Sequence, residues 1–501
     1  MSCALAIRIA PCFCRRGVFW RIFFVFCAVS ASAWPSTSYP AGPVGNVPIP
    51  AGAVVLVPGI AVQAVVDARP PGTTFLFAPG LYRLQQIVPK DGDRFIGSPG
   101  ATLNGARPLT GAMRSHELYV FEHQSPDPNT VQRGRCRAEF PRCDRPQALF
   151  VSDVPLRAVA RLADVRPGAW FFDYDAQRIY LADDPAGHSV EVTYRPFAFG
   201  GDARDVRIEN LVVEKYASGN QQGAINNEGA GIGWTIINNI IRQNYGYGIT
   251  LGTGGRASGN NIYSNGELGI GGGNSSGLVV EGNEIAFNVW NGVDCEWECG
   301  GAKWGAVSDL TVRDNYVHDN GGDGLWTDER CRNVLYEGNR IEHNVLAGIS
   351  HEISFAAVIR NNVLRGNGAE KFVWGWHAQI QVQNSSNTEI YGNHIELDPV
   401  QGGNGIVVIQ QNRGDGFAVS NVFVHDNVIV TRAEHGTLAG WFADFDAEGF
   451  RQRNNRFARN HYVISSPQPL PFGWSDNAPV SFDAWQASGA DPMGSLVTGH
   501  S

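Results

Sequence analysis

The sequence has few charged residues and no excess of positive charge. Asp, Glu, Lys and Arg make up 17% of the residues, and the formal net charge is -9. A chain with this balance and no basic stripe is not expected to bind nucleic acid. The low charge does not indicate disorder either, because 43% of the residues are hydrophobic.

Common signatures of metal and nucleotide sites are also missing. No CxxC or HxxxH spacing occurs, which argues against a structural zinc site. No GxSxG elbow, P-loop or dinucleotide fingerprint occurs in a usable context.

Long apolar runs are absent except at the start of the chain. Residues 1–33 combine Arg8, Arg15, Arg16 and Arg21 with an apolar run, residues 22–33, that ends in an Ala-Ser-Ala cleavage pattern. This arrangement predicts a signal peptide, and the run is too short to span a bilayer comfortably. An uncleaved anchor is the alternative. We therefore expect a secreted or periplasmic protein that has no membrane contact after cleavage.

Five cysteines remain outside that segment. Cys136 and Cys143 are close enough in sequence to close a small loop. Cys299 and Cys331 each follow a repeat Gly by seven residues, so stacking of the repeats would bring them together. The competing pair is Cys295 with Cys299. Either pairing leaves one thiol free.

Composition and pattern divide the chain into six segments. Gly is frequent, at 60 residues, which suits a turn-rich β protein. The predicted order is a signal peptide (1–33), a Pro/Gly/Ser-rich linker (34–50), an N-terminal cap with the first coils (51–108), an inserted antiparallel β subdomain (109–195), repeats (196–465), and a C-terminal cap and tail (466–501).

A repeat with a spacing of 21 to 34 residues dominates the second half of the chain. Each unit has short β-rich pieces and no run long enough for a helix as well, which favours a parallel β-helix over helical or leucine-rich repeats. The recurring Asn suits a bend whose amide bonds to the coils above and below. Its predicted positions are Asn210, Asn239, Asn260, Asn283, Asn315, Asn339, Asn362, Asn393, Asn427 and Asn455.

The predicted fold is therefore all-β: a solenoid whose coils stack three short strands each. Aliphatic side chains that alternate with polar ones would form one continuous core, and examples are Ile240, Ile285, Val317 and Ile341. We expect the protein to be a monomer.

The repeat from about residue 206 to 455 resembles the right-handed parallel β-helix family, whose best-known members are pectate lyases. The segment APGLYRL, residues 78–84, resembles the first coil of such proteins. Members include polysaccharide lyases, glycoside hydrolases, uronate epimerases and non-catalytic proteins, so the resemblance implies the fold and leaves the activity open.

Three successive coils carry carboxylates in the same register. In each, a repeat Gly is followed four residues later by an acid: Glu296, Asp328 and Glu352. Strand alternation predicts that these acids point outward and stack about 4.8 Å apart. Like charges at this spacing raise a pKa or bind a cation, so we predict that the three are catalytic, or that they hold calcium. A merely solvated acidic face is the alternative.

Other side chains of these coils are predicted to bind substrate. Tryptophan faces stack on sugar rings, although packing explains any single Trp equally well. The predicted wall loop, residues 300–308, contributes two members. The full set is Asp294, Lys303, Trp304, Trp326, Trp374, Trp376 and His377. His351 is predicted to face inward as a hydrogen-bonded interior residue.

Three functions remain open. The first is a secreted enzyme that cleaves glycosidic bonds of a polysaccharide with a carboxylate pair and needs no cofactor. The second is a lyase or epimerase that acts on uronate, has calcium on the acids, and takes its base from Lys303, Arg330, Lys371 or His377. The third is a non-catalytic surface or carbohydrate-binding protein.

Overall fold

The computed structural model describes residues 41–43, 45, 48–227, 229, 231–369, 373–414, 416–465, 470–474 and 478–499. The predicted signal peptide and Lys371 lie outside the described residues. Most of the described chain is wound into a parallel β-helix with three long sheets. Among the described residues, no helix is long and apolar enough to cross a membrane.

The three sheets run the length of the solenoid. Sheet 1 contains Val54–Leu56, Thr74–Phe77, Arg94–Gly97, Arg207–Glu209, Thr235–Ile237, Arg256–Ser258, Val279–Glu281, Ser308–Arg313, Arg332–Glu337, Phe355–Arg360, Ser386–Tyr391, Ser420–His425 and Arg456–Ala458. Sheet 2 contains Gly80–Arg83, Ala101–Asn104, Val212–Glu214, Ile240–Arg242, Asn261–Tyr263, Glu284–Ala286, Tyr316–His318, Arg340–Glu342, Val363–Arg365, His394–Glu396, Val428–Thr431, His461–Ile464 and Ser495–Thr498.

Sheet 3 carries the longest strands. It contains Phe199–Gly200, Gly223–Asn226, Tyr247–Thr250, Leu268–Gly273, Gly300–Gly305, Asp323–Asp328, Ile349–Glu352, Ala378–Gln383, Asn404–Gln410, Thr437–Ala443, Phe472–Trp474 and Ala478–Val480. All neighbours are parallel except the last two strands. The described helices are short: Val62–Asp67, Ala447–Gln452 and Phe482–Ala487, with a 3₁₀ turn at Leu162–Asp164.

Columns of aliphatic side chains fill the interior of the solenoid. Ile285, Val317 and Ile341 pair in successive coils of sheet 2 and are fully buried, as the sequence predicts. The inward position predicted for Ile240 is wrong: Ile241, which pairs with Ile262, is the buried residue. One residue of slip exchanges the two faces of a strand because side chains alternate.

A ladder of buried Asn side chains ties the coils together. From Asn239 to Asn427, each side-chain amide donates to the side-chain oxygen of the Asn one coil further, at 2.9–3.0 Å. The column continues to Asn460 and not to Asn455, and at its other end Asn239 accepts from the main-chain N–H of Leu211 and not of Asn210. The recurrent Asn is therefore structural, as predicted.

Two small sheets interrupt the solenoid between residues 106 and 193. One is antiparallel and contains Val154–Pro155, Leu149–Val151, Val190–Thr193 and Ala106–Pro108. The other contains Arg157–Ala158, Ala169–Asp173, Arg178–Leu181, Leu118–Phe121 and Met113–Ser115. The fold class predicted from the sequence, an all-β solenoid with a small antiparallel insertion, is confirmed.

The disulfide prediction is half right. Cys136 and Cys143 are bonded, as predicted, but Cys299 is bonded to Cys295 and not to Cys331. Cys331 is a buried free thiol that contacts the main chain of Trp304 and Val307. The predicted pair fails because Cys299 precedes its sheet 3 strand, whereas Cys331 follows the strand of the next coil.

Candidate active site

Sheet 3 presents two outward columns of side chains that change character along the solenoid. Their register follows from strand pairing and from the alternation of side chains. One column runs through Gly271, Lys303, Trp326, Ser350 and Gln381, and the other through Gly273, Gly305 and Asp328. Glu352 extends the second column, because its neighbour His351 pairs with Thr327, the neighbour of Asp328.

A pocket of about 480 Å³ lies over this face. Gly273, Gly305, Asp328 and Glu352 of the second column line it. Its walls come from distant parts of the chain, namely Arg133 of the insertion, Gln221, the loop at 296–298, and Arg413. Most of these side chains are charged or amide groups, which suits a ligand with many polar groups.

The predicted stack of three acids is reduced to two. The coil that starts at Asn283 makes a detour through residues 289–299, and its sheet 3 strand is Gly300–Gly305. Gly305, and not Glu296, is therefore the partner of Asp328. Glu296 is exposed on the detour and lines the edge of the pocket. The predicted wall loop at 300–308 is thus largely strand, and the detour forms the wall.

Lys303 is the most heavily contacted cation of the pocket. Its ammonium lies 3.1 Å from Asp328 Oδ2 and 3.7 Å from Glu298 Oε2, and it donates to Trp297 O at 2.9 Å. It also lies 3.5 Å from the ring centre of Trp326, a cation–π contact. The charge of Asp328 is therefore compensated inside the pocket.

Glu352 has a different environment from Asp328. Burial, and after it the negative charge of Asp328, raise the pKa of Glu352, while Arg413 opposes the shift. Arg413 Nη1 donates to Glu352 Oε1 at 2.5 Å. A carboxyl with a raised pKa thus lies beside the Lys303-paired carboxylate of Asp328 on the neighbouring strand. Acid–base pairs of many enzymes likewise combine two carboxyls in different surroundings.

Two further acids, Glu298 and Glu267, are buried next to the pocket. Glu298 accepts hydrogen bonds from the phenol of Tyr247 and the side-chain amide of Gln221. Glu267 is fully buried, and its Oε2 accepts from the main-chain N–H of Gln221 at 2.7 Å. Burial and the charge of Glu298 raise the pKa of Glu267 well above its usual range.

Asp323 and His351 are buried titratable groups behind the pocket. Burial raises the pKa of Asp323 to about 7, although its Oδ1 accepts from Ala347 N at 2.9 Å. Burial lowers the pKa of His351 to about 3, and its Nδ1 contacts Thr327 Oγ1 at 2.8 Å. His351 faces inward, as predicted.

The structure separates the other predicted binding residues. Lys303 and Trp326 line the pocket. Trp304 does not: it is fully buried in the solenoid core, because it follows Lys303 on the strand and so faces inward. Asp294 lies on the detour, where its carboxylate pairs with Arg135 of the insertion at 3.1 Å.

Trp374, Trp376 and His377 do not line the pocket. The two indoles pack against Phe442, Val407 and neighbours in a separate apolar cluster on sheet 3. Sugar binding at this cluster stays a prediction. Arg330 stacks on Phe417 at 4.8 Å and likewise does not line the pocket.

Sequence reasoning missed Arg133, Gln221, Tyr247, Glu298 and Arg413. None of them stands at the template position of the acids, and of the five only Tyr247 lies in a sheet 3 strand. A signal was present only for Glu298, which is flanked by the bonded cysteines of a coil longer than its neighbours.

Among the described residues, no group of three or more His, Cys, Asp or Glu side chains is arranged to hold a metal ion. Within the pocket, Asp328 is paired with Lys303 and Glu352 with Arg413. A calcium ion bound by these two carboxylates would have to compete with the two cations.

The comparisons with known proteins agree with this architecture. Residues 223–395 match the family model described as "Right handed beta helix region". The predicted right-handed parallel β-helix is thereby confirmed, and the chain has that fold. A search of curated proteins found no match.

Solved structures that match this chain share little sequence with it. XylC in complex with xylose is 11% identical, with a TM-score of 0.55, over 84% of this chain and 83% of that one. The mannuronan C-5 epimerase AlgE4 A-module of Azotobacter vinelandii is 12% identical, with a TM-score of 0.41, over 87% and 94%. The periplasmic alginate epimerase AlgG is 13% identical, with a TM-score of 0.41, over 83% and 84%.

Proposed function

We propose that this protein is a secreted or periplasmic enzyme that cleaves glycosidic bonds of a polysaccharide in the sheet 3 pocket. One observation carries the proposal: Asp328 and Glu352 occupy adjacent strands, Asp328 is paired with Lys303, and burial raises the pKa of Glu352 in spite of its bond to Arg413. Unequal carboxyls at one point of a polar pocket suit acid–base chemistry on a glycosidic bond.

The roles follow from these environments. Glu352 in its protonated form gives its proton to the leaving oxygen as the glycosidic C–O bond breaks. Water supplies the hydroxyl group that the anomeric carbon gains and the proton that returns to the acid pair. Asp328, which is paired with Lys303, is the partner carboxylate, and its charge would stabilise the positive charge that develops on the sugar ring.

A second candidate is a lyase or epimerase that acts on uronate units. It is favoured by Arg133, Lys303 and Arg413, three cations that the fold brings to one pocket from distant segments. Such groups would bind a uronate carboxylate, and calcium at Asp328 and Glu352 would assist proton abstraction. Lys303 is then the base within the pocket, and it would have to lose its proton first.

One assay set separates these reactions. The protein is incubated with a panel of neutral and acidic polysaccharides, with and without a chelator, and both new reducing ends and ultraviolet-absorbing unsaturated ends are measured. We expect new reducing ends, no unsaturated ends and no effect of the chelator.

Each other outcome contradicts the proposal. Unsaturated ends identify a lyase, and a change in uronate stereochemistry without cleavage identifies an epimerase. Absence of any product, with glycan binding unchanged in Asp328→Asn and Glu352→Gln, identifies a non-catalytic protein.

A further inference from the structure

The ammonium of Lys303 has a defined position because four groups surround it. Two are carboxylates, of Asp328 at 3.1 Å and Glu298 at 3.7 Å. The third is Trp297 O at 2.9 Å, and the fourth is the ring of Trp326. Because the side chain is nearly buried, its field reaches the acid pair with little screening by water.

Glu298 is itself fixed by residues of earlier coils. Tyr247, whose strand lies two coils before that of Lys303, donates its phenol hydroxyl to one carboxylate oxygen, and the Gln221 amide donates to the other. Gln221 is held in turn by Glu267, whose second oxygen is buried and has no hydrogen-bond partner among the described residues. These hydrogen bonds fix the position of Glu298 at the end of the detour.

We infer that Glu298 is a positioning residue of the active site: it holds the Lys303 ammonium between two carboxylates and thereby sets the field that acts on Asp328 and Glu352. The inference rests on the proposed function for its catalytic meaning. Its structural part, control of the titration of Glu352 through Lys303, stands independently and needs no substrate.

The direction of the effect follows from the groups that face Glu352. These are Asp328 beside it, Arg413 bonded to it, Lys303, and the buried Asp323. Lys303 lowers the pKa of Glu352. Without the charge of Glu298, Asp328 is the one carboxylate that still pairs with Lys303. Less negative charge then remains near Glu352, so the pKa of Glu352 falls. Removal of Lys303 acts in the opposite direction.

The first measurement uses unfolding alone. The free energy of unfolding is measured across a pH series for pairs of proteins that differ only by Glu352→Gln. Four such pairs are compared: the parent, Glu298→Gln, Lys303→Met and Glu296→Gln, each with and without Glu352→Gln. Since the folded-state pKa of Glu352 is raised, the parent loses stability relative to the Gln variant as pH rises through that pKa. The midpoint of this loss lies halfway between the unfolded-state and folded-state pKa of Glu352, so a change in the folded-state pKa moves the midpoint in the same direction.

We expect the midpoint to fall by about half a pH unit in Glu298→Gln, to rise in Lys303→Met, and to stay unchanged in Glu296→Gln. Glu296→Gln is the matched control, because it removes an equal charge from the same loop at an exposed position. Equal midpoints in Glu298→Gln and Glu296→Gln would overturn the inference. Lys303→Gln replaces Lys303→Met if the latter does not fold.

The second measurement is the pH dependence of kcat. The alkaline limb is where Glu352 loses its proton. We expect it to move to lower pH in Glu298→Gln and to higher pH in Lys303→Met. If Glu298 had a purely structural role, Glu298→Gln would lower kcat at every pH and leave the pH of the alkaline limb unchanged. That result would contradict the inference. Complete absence of activity in the parent contradicts the proposed function, while the unfolding midpoints still test Glu298.

Discussion

The coil that starts at Asn283 and the coil that starts at Asn315 share one Asn ladder but reach sheet 3 by different routes. They span 32 and 24 residues to the next Asn of the ladder. The longer coil adds the disulfide-closed detour before its strand and places Lys303 in the pocket, whereas the shorter coil places Asp328 there. The ladder therefore fixes how coils stack, and loop length decides which side chains face the pocket.

The largest expected effect tests the acids that this comparison separates. We expect Glu352→Gln to lower kcat about 10³-fold, because the leaving oxygen then lacks its proton donor. Asp328→Asn should lower it similarly. Glu296→Gln should stay within about threefold of the parent, since its carboxylate lies on the exposed detour. Initial rates on the best substrate of the polysaccharide panel provide the measurement.

A large loss in Glu296→Gln with little loss in Asp328→Asn would reverse this assignment. It would mean that the detour, and not the short coil, carries the chemistry. Thermal unfolding of each variant serves as the control, because loss of fold would lower all rates together.

The shared ladder predicts the next largest effect. Asn315 accepts from the main-chain and side-chain N–H groups of Asn283, and donates to Val280 O and to Asn339. Asn315→Ala leaves several of these buried groups without partners, so we expect the free energy of unfolding to fall by about 3 kcal/mol. Chemical denaturation measures it.

The exposed Asn412 provides the matched control for the ladder. Asn412→Ala should change stability by less than about 0.5 kcal/mol. If Asn315→Ala proves equally mild, the ladder is not what holds the register of the two coils.

The same physics explains what the sequence could predict. The Asn recurs because each side-chain amide bonds to the Asn of the next coil. This recurrence is visible in the sequence, so the solenoid could be predicted from it. Asp328 and Glu352 were placed correctly because no detour lies between Asn315 and either of their strands. Strand alternation then fixes the face on which each side chain lies.

Contacts between distant segments could not be predicted. Counting from a repeat Gly misplaced Glu296 and the partner of Cys299, because the detour shifts the register before Gly300. Trp304 was misplaced because the segment predicted as a wall loop is a strand. Arg133 and Arg413 reach the pocket from loops whose paths no repeat determines. Repeat spacing predicts the strand register only where no insertion interrupts the coil.

A pH effect distinguishes the two coils further. Asp323 opens the sheet 3 strand of the shorter coil, opposite Gly300 of the longer one. Its folded-state pKa of about 7 exceeds the usual 3.8, so between these values the folded state binds more protons than the unfolded state. The contribution of Asp323 to the free energy of unfolding therefore falls as pH rises from about 4 to about 7.

Asp323→Asn should remove this contribution. The variant oxygen can still accept from Ala347 N, so we expect the melting temperature of the variant to gain on that of the parent over this pH range. The gain should level off above pH 7, where Asp323 is ionised in both states. A difference in melting temperature that is constant across the range would contradict the raised pKa.

The smallest expected effect concerns the glycine that the longer coil places beside Asp328. A Cβ at Gly305 would approach only Glu329 Oε2, at 3.4 Å, so Gly305→Ala should leave stability nearly unchanged. The added methyl group narrows the pocket, and we expect KM to rise about threefold with kcat retained. Gly272→Ala is the contrasting variant, because its Cβ would meet the main-chain oxygen of Leu251 at 2.7 Å and should destabilise the fold. An unchanged KM in a folded Gly305→Ala protein would mean that substrate does not lie on the glycine side of Asp328, and would confine binding to the side of Glu352 and Arg413.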